Sequence, residues 1–190
     1  MTDRIPAAPT PAGVGRAEAD AAARGLAVDF LTRPGSGRPS SADVGGAPIV
    51  KTIVVQRGDT FLFVMTPLDA QFSWARLRAH LGVNRLSLPD ADAAYAATGY
   101  VRGTITPLGA STPWPVILDR SLAGRTILIG AGSPGIGARL SADELVRAYG
   151  GEVVALTDET SDAGLATSTE TSGRPTGSAA TLGTTRRGTR

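Results

Sequence analysis

Thr98–Ala110 reads TGYVRGTITPLGA and places three glycines and one proline within thirteen residues. Glycine removes the side chain that would hold a ligand away from backbone N–H groups, and Pro107 fixes φ and stiffens the exit. Gly103-Thr104-Ile105-Thr106-Pro107 therefore offers amide donors without side chains in the way. A tight turn between two strands has the same punctuation, so the loop alone carries no function. Far upstream lies Lys51, the only lysine in a chain with 19 Lys and Arg. An ammonium is a compact, mobile point charge that a guanidinium does not duplicate. One lysine kept in an arginine-biased chain marks a candidate functional cation.

Several chemistries are excluded by what is missing. The chain has no cysteine, so disulfides, thiolate metal sites and a cysteine nucleophile are ruled out. Its single histidine, His80, would have to serve any Ser-His-Asp triad or histidine-rich metal site. His80 shares a helix face with Ser73 and Arg76 and reads as a solvated helix residue. Gly130-Ala131-Gly132-Ser133-Pro134-Gly135 matches G-x-G-x-x-G after a predicted strand. A dinucleotide site needs that loop to open a helix. Pro134 interrupts it, and Ile136–Leu140 looks like a strand, so NAD binding is set aside. Arg57-Gly58-Asp59 reads as a hairpin turn rather than an adhesion motif.

Three blocks in one order carry a family resemblance. IVKTIVVQ at Ile49–Gln56 contains Lys51-Thr52; TGYVRGTITPLGA contains a Gly-x-x-x-Pro element; RTILIGAGSPGIGARLSADELV spans Arg125–Val146. Together they resemble the YbaK/prolyl-tRNA editing family of aminoacyl-tRNA deacylases. The resemblance implies an α+β fold: a single domain with a curved, mixed, largely antiparallel, barrel-like sheet flanked by helices. It implies hydrolysis of the ester joining a small amino acid, such as Cys or Ala, to the 3′ CCA end of a mischarged tRNA. Such an ester is already activated, so the protein must chiefly position water and stabilise charge on the carbonyl oxygen. On this reading Lys51, Gly103, Thr104, Ile105, Thr106 and Pro107 form the catalytic set. Thr98, Gly99, Tyr100, Gly132, Ser133 and Gly135 bind substrate. No metal or cofactor is required, and an aminoacyl-tRNA synthetase is a candidate partner. Some relatives carry a histidine in the later loop, where this chain has Ser133-Pro134, which favours hydrolysis assisted by the substrate's own hydroxyls. A non-catalytic module that binds tRNA ends or a synthetase is the alternative, and a small-ester or nucleotide hydrolase is a third reading. Arg102 is a further candidate for contact with tRNA phosphate.

The elements that must position these residues follow from pattern. Val14–Arg24 is an alanine-rich helix stopped by Gly25. Leu26–Leu31 is a strand, and Ser41–Ala47 holds at most one helical turn. Ile49–Gln56 and Thr60–Thr66 form a hairpin. Leu68–Leu81 and Asp90–Ala97 are helices, the second capped by Asp90, with a short strand at Leu86–Leu88 between them. Pro115–Leu118, Arg125–Gly130, Ile136–Leu140 and Glu152–Leu156 are strands. Ser141–Tyr149 is a helix with Ser141 and Glu144 as a capping box. Residues 1–13 form a flexible N-terminus, 14–157 the editing domain, and 158–190 a disordered tail rich in Ser, Thr and Gly. The formal charge of only +2 points to local rather than broad contact with nucleic acid. No window approaches the roughly 18 apolar residues of a membrane span. No signal-peptide pattern opens the chain, so a cytoplasmic location is expected.

Overall fold

A computed structural model of the chain describes residues 12–32 and 45–157. The expected flexible N-terminus (apart from residues 12 and 13), most of the turn at 41–47 and the expected tail lie outside the described residues. The described part is an α+β unit with helices α1 (Ala12–Ala23), α2 (Trp74–Leu81), α3 (Ala91–Thr98) and α4 (Ala142–Ala148). Its strands are β1 (Val28–Thr32), β2 (Val50–Arg57), β3 (Thr60–Pro67), β4 (Val116–Asp119), β5 (Thr126–Gly130), β6 (Ile136–Ser141) and β7 (Glu152–Val154).

The strands divide between two sheets rather than one. One has three strands in the order β1-β6-β5, all antiparallel; the other has four in the order β2-β3-β4-β7. In the second sheet only β2–β3 is antiparallel, while β3–β4 and β4–β7 are parallel. A single bridge, Ile49 to Leu128, together with the Leu128 amide donating to the Pro48 carbonyl at 2.9 Å, stitches the sheets together. Beyond that stitch β2 and β5 have no ladder between them, and the candidate site lies there.

The four-stranded sheet is buried on both faces, which is why β3 (TFLFVMTP) reads as a nearly continuous apolar run. Phe63 and Met65 face a core shared with the three-stranded sheet, α1 and α4, where Leu108, Leu118, Ile127, Ile129, Leu140 and Leu145 are also buried. Leu62 and Val64 face the other way, onto Leu77 of α2 and Leu156. The period-two alternation of the strand thus feeds two cores.

The termini of the elements show local rules at work. Asp90 caps α3 by accepting from the Ala93 amide at 2.8 Å, and Ser141 caps α4 by accepting from the Glu144 amide at 3.4 Å. Helix α2 starts at Trp74, not at Leu68, because Ser73 is its cap and the Leu68 amide instead extends the hairpin by donating to the Ile49 carbonyl. Leu86–Leu88 is not a strand; only Ser87 bridges to Gln56. Strand β7 stops at Val154 because the Leu156 and Thr157 amides donate to the Asp119 carboxylate, at 2.9 and 2.8 Å. His80 is held rather than merely solvated: its Nε2 lies 2.7 Å from Glu152, linking α2 to β7.

Asp119 is 1% exposed and also accepts from the Ser121 amide, the Ser121 hydroxyl and the Thr157 hydroxyl. Burial pushes its carboxyl up, but these hydrogen bonds outweigh burial and hold it below the ordinary value of 3.8. Stability from the ionised form is therefore complete above that value and is lost as pH falls through the lower folded-state value. Asp119→Asn replaces an acceptor oxygen with a donor facing other donors. It is expected to lower unfolding free energy by about 2–4 kcal/mol, read by urea denaturation at neutral pH, and to flatten the acid limb of the stability profile.

Candidate active site

The site begins with a near-contact of backbones. The Gly132 amide donates to the Thr104 carbonyl at 3.1 Å, joining the loop after α3 to the hairpin loop between β5 and β6. A Cβ built on Gly130 would stand 3.1 Å from the Ile105 carbonyl oxygen and 3.3 Å from that of Thr104. One on Gly132, at φ +78°, would stand 2.4 Å from the Tyr100 ring and 2.7 Å from the Gly13 carbonyl oxygen. Glycine is required at Gly132, and at Gly130 a side chain would have to push the loop back by a few tenths of an ångström. The G-x-G-x-x-G stretch is a strand-to-strand connection between antiparallel partners, so it opens no helix and presents no dinucleotide fingerprint.

Helix α1 braces both loops from behind. Arg16 donates to the Gly99 carbonyl at 2.7 Å and lies 4.3 Å from the Tyr100 ring centroid. Asp20 accepts from the Gly109 amide at 2.9 Å, from Arg24 Nε at 2.9 Å, and from the Tyr149 hydroxyl. Burial pushes the Asp20 carboxyl up, yet the bonds from Tyr149, Gly109 and Arg24 hold it below its usual range. Burial first, and then donation to Asp20, drive the Tyr149 hydroxyl far above its usual value, so both groups keep fixed protonation states. The Tyr149 hydroxyl also approaches the Pro107 carbonyl at 3.1 Å, so the end of the glycine loop is clasped between α1 and the residue after α4.

In front of the loops, where β2 and β5 part, lies a cavity of about 270 Å³. Its walls include Lys51, Thr52, Gly103, Ile105, Ser133 and the aliphatic residues Val50, Leu68, Leu128, Ile129 and Ile136. Lys51 is half-buried and donates through Nζ to the Ala70 carbonyl at 2.5 Å, which leaves two of its three donors for a ligand. Among the described residues, the Gly103 and Ile105 amides have no hydrogen-bond acceptor. The Gly132 amide is taken by Thr104.

The structure brings Lys51, Gly103, Ile105 and Ser133 together. It places the other singled-out residues behind or beside the cavity wall. Thr104 donates through its hydroxyl to the Val101 carbonyl, and the Thr106 hydroxyl accepts from the Leu108 amide. Pro107 and Gly135 do not line the cavity. Thr98 is buried with its hydroxyl donating to the Ala94 carbonyl, Gly99 ends α3 at φ +70°, and the Tyr100 hydroxyl donates to the Leu108 carbonyl at 2.8 Å. Arg102 is exposed in the turn. Val50, Thr52, Leu128, Ile129, Gly130 and Ile136 fall within the quoted blocks without having been named as site residues, and Leu68 falls outside those blocks. They line the cavity only because the two sheets meet at Ile49 and Leu128, a contact with no local signal; the Gly130 motif alone was visible.

The site is thus a small, mostly aliphatic cavity in an α+β domain, lined by one lysine and by a glycine loop with two amides that have no acceptor among the described residues. The aminoacyl-tRNA editing domain model matches residues 40–148, more than half of the chain, and the chain belongs to that family. Among solved structures, "a putative trans-editing enzyme for prolyl tRNA synthetase" aligns with TM-score 0.72 at 22% identity, covering 79% of this chain and 99% of that one. The hypothetical protein APE2540 aligns at 0.66 and 25% identity, over 75% and 99%. A "putative signal transduction protein" from Marinobacter aquaeolei VT8 aligns at 0.57 and 16%, over 81% of this chain and 32% of that one. The neighbours below 25% identity speak to the fold alone.

The crowding at Gly132 makes a paired prediction. Gly132→Ala must displace Tyr100 or α1 and is expected to lower stability by more than about 2 kcal/mol. Gly135→Ala, at φ +75° with nothing within 4 Å, carries only backbone strain of about 1 kcal/mol. Thermal melts of the two variants side by side test the difference.

Proposed function

We propose that the chain is a trans-editing hydrolase that removes a small amino acid, such as Cys or Ala, from the 3′-terminal ester of a mischarged tRNA. The observation that carries the reading is the cavity itself: in a chain of the editing family, Lys51, Gly103 and Ile105 line one small, mostly aliphatic chamber, and the Gly103 and Ile105 amides have no acceptor among the described residues. The two amides are candidate donors to the carbonyl oxygen as negative charge develops there. Lys51 holds the terminal phosphate or the polar end of the substrate as a point charge. Ile105, Leu128, Ile129 and Ile136 give the amino-acid side chain apolar walls, and the modest volume favours small residues.

The cavity lining among the described residues contains no carboxylate and no histidine. Water therefore adds to the ester carbonyl with help from the substrate. The bond from carbonyl carbon to ribose oxygen breaks, and the proton from water passes through the neighbouring ribose hydroxyl to the departing oxygen. The reaction needs no cofactor and takes place with the cytoplasmic tRNA pool, alongside a synthetase whose errors it corrects. The same lack of a general base is the one observation favouring a non-catalytic module that binds tRNA ends, with Thr104, Thr106, Pro107, Thr98, Gly99, Tyr100, Gly132 and Gly135 then serving the shape of the pocket. No helix among the described residues is long and apolar enough to cross a membrane.

The test is hydrolysis of a panel of labelled tRNAs charged with Cys, Ala, Ser or Pro, tRNA for proline included. Wild type is expected to release one label selectively. Lys51→Ala is expected to lower kcat/KM by about 100-fold or more, and Lys51→Arg to restore little of it, since the broader guanidinium cannot keep the bond to Ala70 and still leave the cavity open. Tight binding of tRNA ends without turnover would establish the binding module instead.

A further inference from the structure

On the far side of the Ile49–Leu128 stitch lies a second cavity, of about 640 Å³, whose walls include Asp29, Gly45, Gly46, Arg125 and Arg139. Pro48 and Thr126 line the second, while Ile49 and Leu128 line the first, a step along β5 of two residues or about 7 Å. Their chemistry differs. The first is aliphatic apart from Lys51, Thr52 and Ser133; the second carries two guanidinium groups and one carboxylate.

We propose that this second cavity is a phosphate-binding groove for the single-stranded 3′ end of the tRNA whose terminal ester occupies the first. The inference rests on the deacylase reading for the identity of its ligand. Arg139 projects from the central strand β6 and is oriented by Asp29, with Nε at 3.2 Å and Nη2 at 2.8 Å from Asp29 Oδ2. That clamp engages one edge of the guanidinium and leaves Nη1 turned toward Gly45, where an added Cβ would stand 3.8 Å away. Gly45 and Gly46 have φ of +67° and +79°, and no side chain there crowds Arg139. Arg125 is exposed just before β5, and its side chain has no partner among the described residues. A guanidinium fixed in orientation and a second free one, beside a backbone without side chains, suit the phosphodiester oxygens of a nucleic-acid strand. Asp29 has two effects here: it orients Arg139, and it repels an incoming phosphate.

Binding of a fluorescein-labelled, uncharged oligoribonucleotide ending in CCA, followed by anisotropy between about 50 and 200 mM NaCl, tests the groove without requiring catalysis. Arg125→Ala and Arg139→Ala are each expected to weaken binding about threefold to tenfold at the low end of that range and to reduce the salt slope by about 0.7 per lost contact. Asp29→Asn removes the repulsion and is expected to leave binding equal or tighter. Arg147→Ala, which removes the same charge from exposed α4, controls for net charge and is expected to leave the slope as in wild type. Slopes unchanged in both arginine variants, or an equal loss with Arg147→Ala, would overturn the groove. Selective deacylation by a wild type that does not bind the oligonucleotide through these arginines overturns the groove and leaves the deacylase reading intact. Arginine-dependent binding by a protein that deacylates nothing overturns the deacylase reading and keeps the groove.

Discussion

Two glycine loops that touch through their backbones set the terms for the rest of the molecule. The bond from the Gly132 amide to the Thr104 carbonyl depends on the missing side chain at Gly132 and on a second glycine, Gly13 of α1, packed against it, with Gly130 easing the approach. That contact joins the two loops at the cavity, which Gly103 and Ile105 line from one loop and Gly130 and Ser133 from the other.

The polar groups behind the loops hold this arrangement without taking part in it. Asp20 gathers donors from α1, from the glycine loop and from Tyr149, while Arg24 stacks 4.0 Å above the Tyr149 ring and donates to the Ala148 carbonyl. A half-buried carboxylate with three such donors is stable because each partner is itself fixed. Asp119 does the same for the C-terminal edge of the four-stranded sheet. Lys51, on β2 of the same sheet, has its ammonium tied to the Ala70 carbonyl. Helix α1 lies outside the region matched by the family model, yet it closes the back of the site.

How much of this could be read from the sequence follows the range of each interaction. Caps and hairpins are local, so Asp90, Ser141 and the Gly58-Asp59 turn were readable from residue type. Lys51 and the glycine loop stood out by composition and by family resemblance. The start of α2 was not readable, because the competition between helix and an extended hairpin at Leu68 is decided by its bond to Ile49. The division into two sheets was hidden for the same reason: the β-branched runs specify strands but not which edges meet. The family resemblance implied binding roles for Tyr100 and Thr98; in the fold their hydroxyls donate to the Leu108 and Ala94 carbonyls, an engagement that residue type alone does not reveal.

The span of the contacts has a consequence for how the chain is made. Asp29 meets Arg139 across 110 residues, Arg24 meets Ala148 across 124, and Asp20 meets Tyr149 across 129. Strand β1 has no partner until β6 exists, and α1 has no loops to lean on until both have been synthesised. Contacts of such separation form slowly, because loop closure must precede their reward. During synthesis the hairpin of β2 and β3 can pair at once, but the chamber beside it lacks walls until β5 and the start of β6 have been made. A nascent chain therefore carries the lysine long before it carries a site.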